Sequence, residues 1–208
     1  MPSRPRTAAV AEMTDPPIEQ ITTRDGVSLL VRPIEAADKE ALRHGFEHLS
    51  PESRYRRFLA PIKELTRHDL RYFTEVDHRD HEALVAVAPS AEPVAVARYV
   101  RLRERPEAAD VAVTVADEWQ GRGVGTALLE RLARRAITAG IIRFVGVCLA
   151  ANEDMIELLR DLGPAVTRRH AGGSVIEVEV ELPRGDHPAL ASRAPRAVAR
   201  AGTAAEDV

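Results

Sequence analysis

The chain has 208 residues, 45% of them hydrophobic, with 29 Lys plus Arg against 32 Asp plus Glu, a net charge of −3. Such a length and composition predict one globular domain with tails, able to bury a core without disulfide or metal staples. The near balance of charge argues against nucleic acid as a partner, the single Cys148 excludes a disulfide framework and a Cys-based zinc site, and no apolar run nears the ~20 residues of a membrane span. Met1 to Val10 has no apolar stretch of signal-peptide length, so a cytoplasmic protein with no membrane partner is expected. Only Lys39 and Lys63 are lysines; the preference for Arg reads as the bias of a GC-rich genome.

Residues 1–20 carry Pro2, Pro5, Pro16 and Pro17 without apolar periodicity and read as a disordered arm. The folded unit is expected over 21–183, and 184–208, rich in Ala, Arg and Pro, reads as a second disordered tail. Asp25-Gly26 is a turn signal, and Val27 to Arg32 reads as a strand stopped by Pro33. Ile34 to Leu49 has helical spacing. Ser50-Pro51-Glu52 starts a helix, because Ser accepts from orphan backbone N–H groups and Pro fits the first turn. Thr66 to Asp69 starts another with a near capping box. Glu82–Ala88, Pro93–Arg103 and Asp110–Val115 read as an antiparallel meander. Gly121 to Ala139 is a strong amphipathic helix ended by Gly140, and Ile142 to Leu149 is an apolar strand expected to be largely buried. Ala151 to Leu162 forms a helix ended by Gly163-Pro164, and a hairpin over 165–170 and 174–182 closes the domain. This is an α/β (α+β) pattern with a mixed sheet of about six to seven strands and about four helices.

The most informative stretch is the strand running into Gln120-Gly121-Arg122-Gly123-Val124-Gly125, where a helix begins. Glycines let backbone N–H groups approach a ligand closely, and the helix N-terminus adds partial positive charge, so the turn suits a phosphate or pyrophosphate. The alternative is a Gly-rich turn that binds nothing. The pattern is neither G-x-x-x-x-G-K-S/T nor G-x-G-x-x-G.

Gln120 to Gly125 resembles the Q/R-x-x-G-x-G/A motif of the GNAT superfamily of N-acetyltransferases, and Asn152-x-x-Met155-x-x-Leu158-x-x-x-x-Gly163 resembles its later helix motif. The resemblance implies the GNAT fold and acetyl-CoA as donor co-substrate. It implies that the pyrophosphate lies on the turn from Gln120 through Gly121, Arg122, Gly123, Val124 and Gly125 to Thr126. Pantetheine then runs along Val113, Thr114 and Val115, between two splayed parallel strands, with Asn152 orienting it. No metal is implied. More finely, Leu49-Ser50-Pro51-Glu52-Ser53-Arg54-Tyr55-Arg56-Arg57-Phe58, with Glu64-Leu65-Thr66 and Asp77, resembles the acetyltransferase domain of bacterial protein-lysine acetyltransferases. Some of those are fused to a cyclic-nucleotide-binding domain, for which the 20 or so residues before the first strand are too few.

Amine acetylation requires a neutral amine, which costs a lysine about 4 kcal/mol near pH 7.4. The subgroup places a glutamate ten residues before the motif Gln, and Asp110 keeps that spacing to Gln120. Asp110 is therefore the candidate general base, acting through a water because Asp is one methylene shorter; the alternative is a solvated acid at the head of a strand. Glu107 is the fallback, while Asp117 and Glu118 read as caps of the turn. Many GNAT members place a Tyr near the thiolate as general acid, but Leu158-Leu159-Arg160 has none. Tyr55 is the acceptor-side candidate, and Arg57 is suited to pair an acidic acceptor protein. Asp77-His78-x-Asp80-His81 has metal-type residues but reads as a polar loop, and Cys148 as a core residue. Three functions follow: acetylation of a protein lysine, acetylation of a small amine, or acetyl-CoA sensing without catalysis, by a monomer or homodimer.

Overall fold

A computed structural model describes residues 18–169 and 173–183. The expected tails over 1–17 and 184–208, and the hairpin turn at 170–172, lie outside the described residues. Eight strands form one sheet in the order β1-β2-β3-β4-β5-β6-β8-β7. They are β1 (Glu19–Thr22), β2 (Ser28–Pro33), β3 (His81–Val87), β4 (Pro93–Arg101), β5 (Ala108–Val115), β6 (Arg143–Leu149), β7 (Ala165–Arg169) and β8 (Val175–Glu181). Five α-helices accompany them: α1 (Lys39–His48), α2 (Pro51–Phe58), α3 (Arg67–Thr74), α4 (Val124–Thr138) and α5 (Glu153–Arg160).

The strand and helix numbers exceed the six to seven and four expected. β1 is the added strand, and it starts inside the expected arm. Of its residues only Ile21 is buried, so it lacks the alternation that marks a half-buried strand. β1 pairs antiparallel with β2 from Glu19↔Val31 to Thr22↔Ser28. The stretch expected to be helical from Ile34 opens instead as a 3₁₀ turn, Ala36–Asp38, before α1.

Local chemistry explains the helix ends. Ser50 Oγ accepts from Ser53 N at 3.1 Å, with Pro51 in the first turn of α2. Thr66 and Asp69 form a reciprocal capping box at α3, with Thr66 N donating to Asp69 Oδ2 at 2.9 Å and Asp69 N to Thr66 Oγ1 at 3.2 Å. Asn152 Oδ1 accepts from Met155 N at 3.3 Å at the head of α5.

The main core lies between the sheet and α4 with α5. Leu128, Leu129, Leu132, Ala133 and Ala136 of α4 are buried against Leu84, Ala95, Ala97, Tyr99, Val111 and Phe144 of the sheet. Glu82, buried in β3, is held by Arg135 of α4 at 3.0 Å, by His78 Nδ1 at 2.8 Å and by Ala83 N at 2.9 Å. A smaller core under α1–α3 gathers Phe46, Leu49, Leu65 and Leu70, with Phe58 and Phe73 partly buried against it. Because side chains alternate across a strand, Ala97 and Tyr99 of β4 face the first core while Arg98 faces the helices α1–α3.

Gly163 joins α5 to β7 where the chain runs hard against β8. A Cβ there would strike the carbonyl oxygen of Glu181, which cannot move without breaking the β8 ladder. Gly163→Ala should lower stability by about 1–3 kcal/mol, read as a reduced urea midpoint at unchanged slope.

Candidate active site

β5 and β6 are the one parallel pair among the described strands, and their pairing covers only Ala108↔Arg143, Ala109↔Phe144 and Asp110↔Val145. Beyond Asp110, β5 stays with β4 as far as Ala95↔Val115, and β6 stays with β8 as far as Leu149↔Val175. The two strands therefore part at Asp110. Val111–Val115 and Gly146–Leu149 face each other across a gap without a strand partner on that side. A cleft of about 960 Å³ opens there. Asp110, Val113, Thr114 and Val115 line one wall, Gln120, Gly121, Gly123, Val124, Gly125 and Thr126 its head, and Val145, Val147 and Asn152 the other wall. Asp110 is the third residue of β5 rather than its head, because Ala108 and Ala109 already pair with β6.

The turn is not helical before Val124. Gly121 and Gly123 take φ of 70° and 84°, the left-handed region that side chains disfavour, and Gly123 is the N-cap of α4 without any side-chain cap. The first helical bond there runs from Ala127 N to Gly123 O at 3.1 Å, so the N–H groups of Val124, Gly125 and Thr126 have no acceptor in the helix. Arg24, on the loop between β1 and β2, holds the outer side: its N–H donates to Arg122 O at 3.0 Å and its Nη1 to Gly121 O at 3.3 Å. In a trans peptide the N–H points opposite to its C=O, so the amides of Arg122 and Gly123 face away from Arg24. The Arg122 side chain does not line the cleft; it pairs with Asp25 at 3.0 Å and lies over the Trp119 ring. Gly125 serves packing, since a Cβ there would press on Leu158 Cδ1 at 3.1 Å.

Asp110 is raised above the ordinary carboxylate pKa, first by desolvation and then by the negative charge of Glu177. That is the direction a proton acceptor needs. Asn152 lines the cleft and caps α5 through Oδ1. The structure does not bring Tyr55 to the cleft: it is 45% exposed, while Arg57 and Phe58 of the same helix line the wall. A short helix of weak apolar content leaves its rotation unmarked in sequence. Val147 departs from the expected burial of β6, at 45% exposed, because it faces the parted side. Cys148 is buried, and burial pushes its thiol pKa up. Asp77 Oδ1 accepts from the N–H groups of Arg79, Asp80 and His81, which makes that segment a turn. Sequence reading missed Arg24, Tyr72, Phe73 and Arg98, all on the cleft wall.

It also assigned Asp117 too small a part. Its carboxylate accepts from Ser50 N at 2.7 Å, Ser50 Oγ at 3.1 Å, Ser53 Oγ at 2.5 Å and Gln120 Nε2 at 3.2 Å. One side chain thus ties the N-terminus of α2 to the Gly-rich turn. Partial desolvation pushes its pKa up, but the bonds from Ser53, Ser50 and Gln120 outweigh it and hold the carboxyl below its ordinary value. With the folded pKa below the unfolded value of about 3.9, this stabilisation is complete above that value and is lost as pH falls through the folded pKa. Allowing for solvent exposure, Asp117→Asn should cost about 1–2 kcal/mol at pH 7 in urea unfolding, and the gap to the parent should close below about pH 4.

Residues 41–163 match the Acetyltransferase (GNAT) family. The chain is 35% identical over 167 residues to "Acetyltransferase Pat" of Mycolicibacterium smegmatis, covering 80% of this chain and 49% of that protein, so it spans about half the length of this relative. It is 33% identical over 142 residues to "Acetyltransferase PA5475" of Pseudomonas aeruginosa, covering 67% of this chain and 76% of that one. The crystal structure of the GNAT domain of S. lividans PAT superposes with a TM-score of 0.73 at 37% identity, covering 79% of this chain and 97% of that one. A sheet parted beside a glycine turn, and relatives alike over most of its length, make the chain a member of the Acetyltransferase (GNAT) family, an acyltransferase of GNAT fold.

Proposed function

We propose that the enzyme transfers an acetyl group from acetyl-CoA to the side-chain amine of a protein lysine. The observation that carries this reading is the parting of β5 and β6 at Asp110, which puts a carboxylate at the apex of a cleft whose head is the Gly-rich turn. Acetyl-CoA supplies the thioester carbonyl. The amides from Arg122 to Thr126 suit its pyrophosphate, and the unpaired edge at Val113–Val115 suits the amides of its pantetheine arm. Asn152 keeps its Nδ2 for that arm. The likeness of Leu49–Phe58 to protein-lysine acetyltransferase domains, and relatives named Pat, support lysine as acceptor. A cytoplasmic setting belongs to the same reading, since a lone thiol suits a reducing compartment.

Asp110 has one task here. It takes one proton from the ammonium to give the neutral amine; the amine lone pair then forms the N–C bond at the thioester carbonyl as the C–S bond breaks, and the second proton on that nitrogen passes through water to the departing thiolate. The raised pKa of Asp110 makes it a better acceptor than a solvated carboxylate. Asp110→Asn should keep acetyl-CoA affinity and lose roughly 10²-fold or more in turnover, only partly recovered at high pH where more amine is already neutral. Asp110→Glu should keep substantial activity. A pH–rate profile of the three proteins with one acceptor measures this; equal turnover of Asp110→Asn removes Asp110 from the chemistry and passes the test to Glu107. The acceptor is read by incubating enzyme, acetyl-CoA and a cell lysate and probing with anti-acetyl-lysine. Protein bands support the reading, thiol release without bands points to a small amine, and binding without turnover to a sensor.

The turn carries a separate expectation. Gly123→Glu sets a negative side chain at a left-handed position beside the free amides, so calorimetric acetyl-CoA affinity should fall by at least about tenfold.

A further inference from the structure

Among the described residues, many arginines are held by carboxylates. Arg32 holds Asp38, Arg101 holds Asp80, Arg105 holds Glu179, Arg131 holds Glu19 and Arg135 holds Glu82. Three on the cleft wall have no carboxylate: Arg24, which is spent on the carbonyls of the turn, and Arg57 and Arg98 on the acceptor side. Arg98, on β4, is 7% exposed, and its guanidinium touches only the Phe73 carbonyl at 3.2 Å, His81 Nε2 at 3.2 Å and the face of the Phe73 ring. Arg57, on α2, lies over the Phe58 ring and makes no hydrogen bond among the described residues. Neither has a carboxylate within ion-pair distance among the described residues. Across the cleft lie Asp154 and Glu157 of α5 and Asp161 just after it; Asp154 is held by Arg56 at 3.7 Å, and none of the three pairs with Arg57 or Arg98.

The two guanidiniums lie over neighbouring rings, Arg57 over Phe58 and Arg98 over Phe73, whose centroids are 6.2 Å apart. Desolvation lowers Arg57 to about 10; it also lowers Arg98 to about 9, with the charge of Arg57 adding to the effect. A pair of cations held together without an anion, half out of water, is an arrangement a protein keeps at a loss unless something negative arrives. The register says where that anion would sit. Arg98 pairs with Ala112, and Asp110 is two residues away on the same face of β5. The Gly-rich turn, where phosphate is expected, lies beyond the opposite end of β5, past Val115.

Resting on the protein-lysine reading, we infer that Arg57 and Arg98 form a carboxylate-binding subsite that selects acceptors with an acidic group next to the target amine. In a protein this is an Asp or Glu flanking the lysine; in a free amino acid it would be the acceptor's own carboxylate. The planar guanidinium forks bind a carboxylate at two points, and the low-dielectric wall strengthens each bond. Phe73 and Phe58 hold the forks from behind.

The test uses single-lysine peptides that differ only in having Asp, Asn or Arg beside the lysine. With the full chain and acetyl-CoA, kcat/KM should be roughly ten- to a hundredfold higher for the Asp peptide than for the Asn peptide, and lowest for Arg. Arg98→Gln and, since Arg98 is buried, the half-buried Arg57→Gln should bring the Asp-to-Asn ratio of kcat/KM to about one, whatever change the two peptides share. A merely structural arginine would lower all three peptides alike, and that result, or equal rates for Asp and Asn in the parent, overturns the subsite. If no peptide is acetylated but free aspartate or glutamate is, with loss in Arg57→Gln, the protein-lysine reading fails and the subsite stands. Calorimetry of the same peptides on the CoA-loaded enzyme reads the subsite without turnover. Tighter binding of the Asp peptide, lost in Arg57→Gln, supports it, and equal affinities in the parent overturn it.

Discussion

The site depends on where two parallel strands stop pairing. β5 and β6 share three register pairs and then diverge, and each is still anchored by an antiparallel neighbour on its outer side. Without β4 and β8 the parted strands would close, because each buried N–H or C=O left without a partner costs about 1–3 kcal/mol. Two helices straddle the opening. Leu158 of α5 lies against Gly125 of α4, which itself backs onto Val113 and Val115. Leu159 of α5 presses on Gly146 of β6, where a Cβ has no room. The small residues are therefore structural requirements of the opening, and the polar edges it leaves are its chemical content.

The two halves of the cleft are joined by Asp117. It receives donors from α2 across 64 and 67 residues of chain, and from Gln120 in the turn beside it. Gln120 is committed there, since Nε2 also reaches Ser53 Oγ at 3.2 Å and Val115 O at 3.1 Å. Its side chain braces the turn, and its N–H is held by Asp117 O at 3.3 Å, which leaves the amides further along the turn for a phosphate. Because α2 carries Arg57 and Phe58 into the cleft, the same carboxylate that shapes the donor end also sets the acceptor wall. Arg24 completes the frame from the β1–β2 loop by tying back two carbonyls of the turn.

How far the sequence reveals this follows the range of the interactions. Caps at Ser50, Thr66 and Asn152 are contained within three residues, and all are legible. So is α4, whose buried stripe repeats at helical spacing. β1 is illegible because it has one apolar, buried position, Ile21, and so no apolar alternation to read. The bond from Ser53 to Asp117 leaves no trace in either local pattern. Sequence alone does not say which of Tyr55 and Arg57 faces the cleft, because one turn of helix places neighbours on different sides and eight residues give too little apolar signal to fix which. Arg98 did leave a trace: it is the one charge inside Val94–Val100, an otherwise apolar and aromatic run. A lone cation in a strand covered on both faces needs a reason.

That reason turns on why the residue is arginine. A lysine buried to the same degree, with a second cation beside it, would meet physiological pH already losing its proton, since burial moves lysines by several units from about 10.4. Arg57 at about 10 and Arg98 at about 9 have been pushed down by the same forces and still carry full charge near neutrality. The wall therefore presents two permanent positive charges beside Asp110, whose own pKa is raised by desolvation and Glu177 rather than lowered by those arginines. The separation matters. Had either guanidinium paired with Asp110, the carboxylate would be stabilised in its charged form and would be a weaker base. Keeping the arginines toward Phe58, Phe73 and His81 leaves the Asp110 carboxylate unpaired and the cations free, so the proposed proton removal and the proposed recognition of an acidic acceptor would share one wall without cancelling each other.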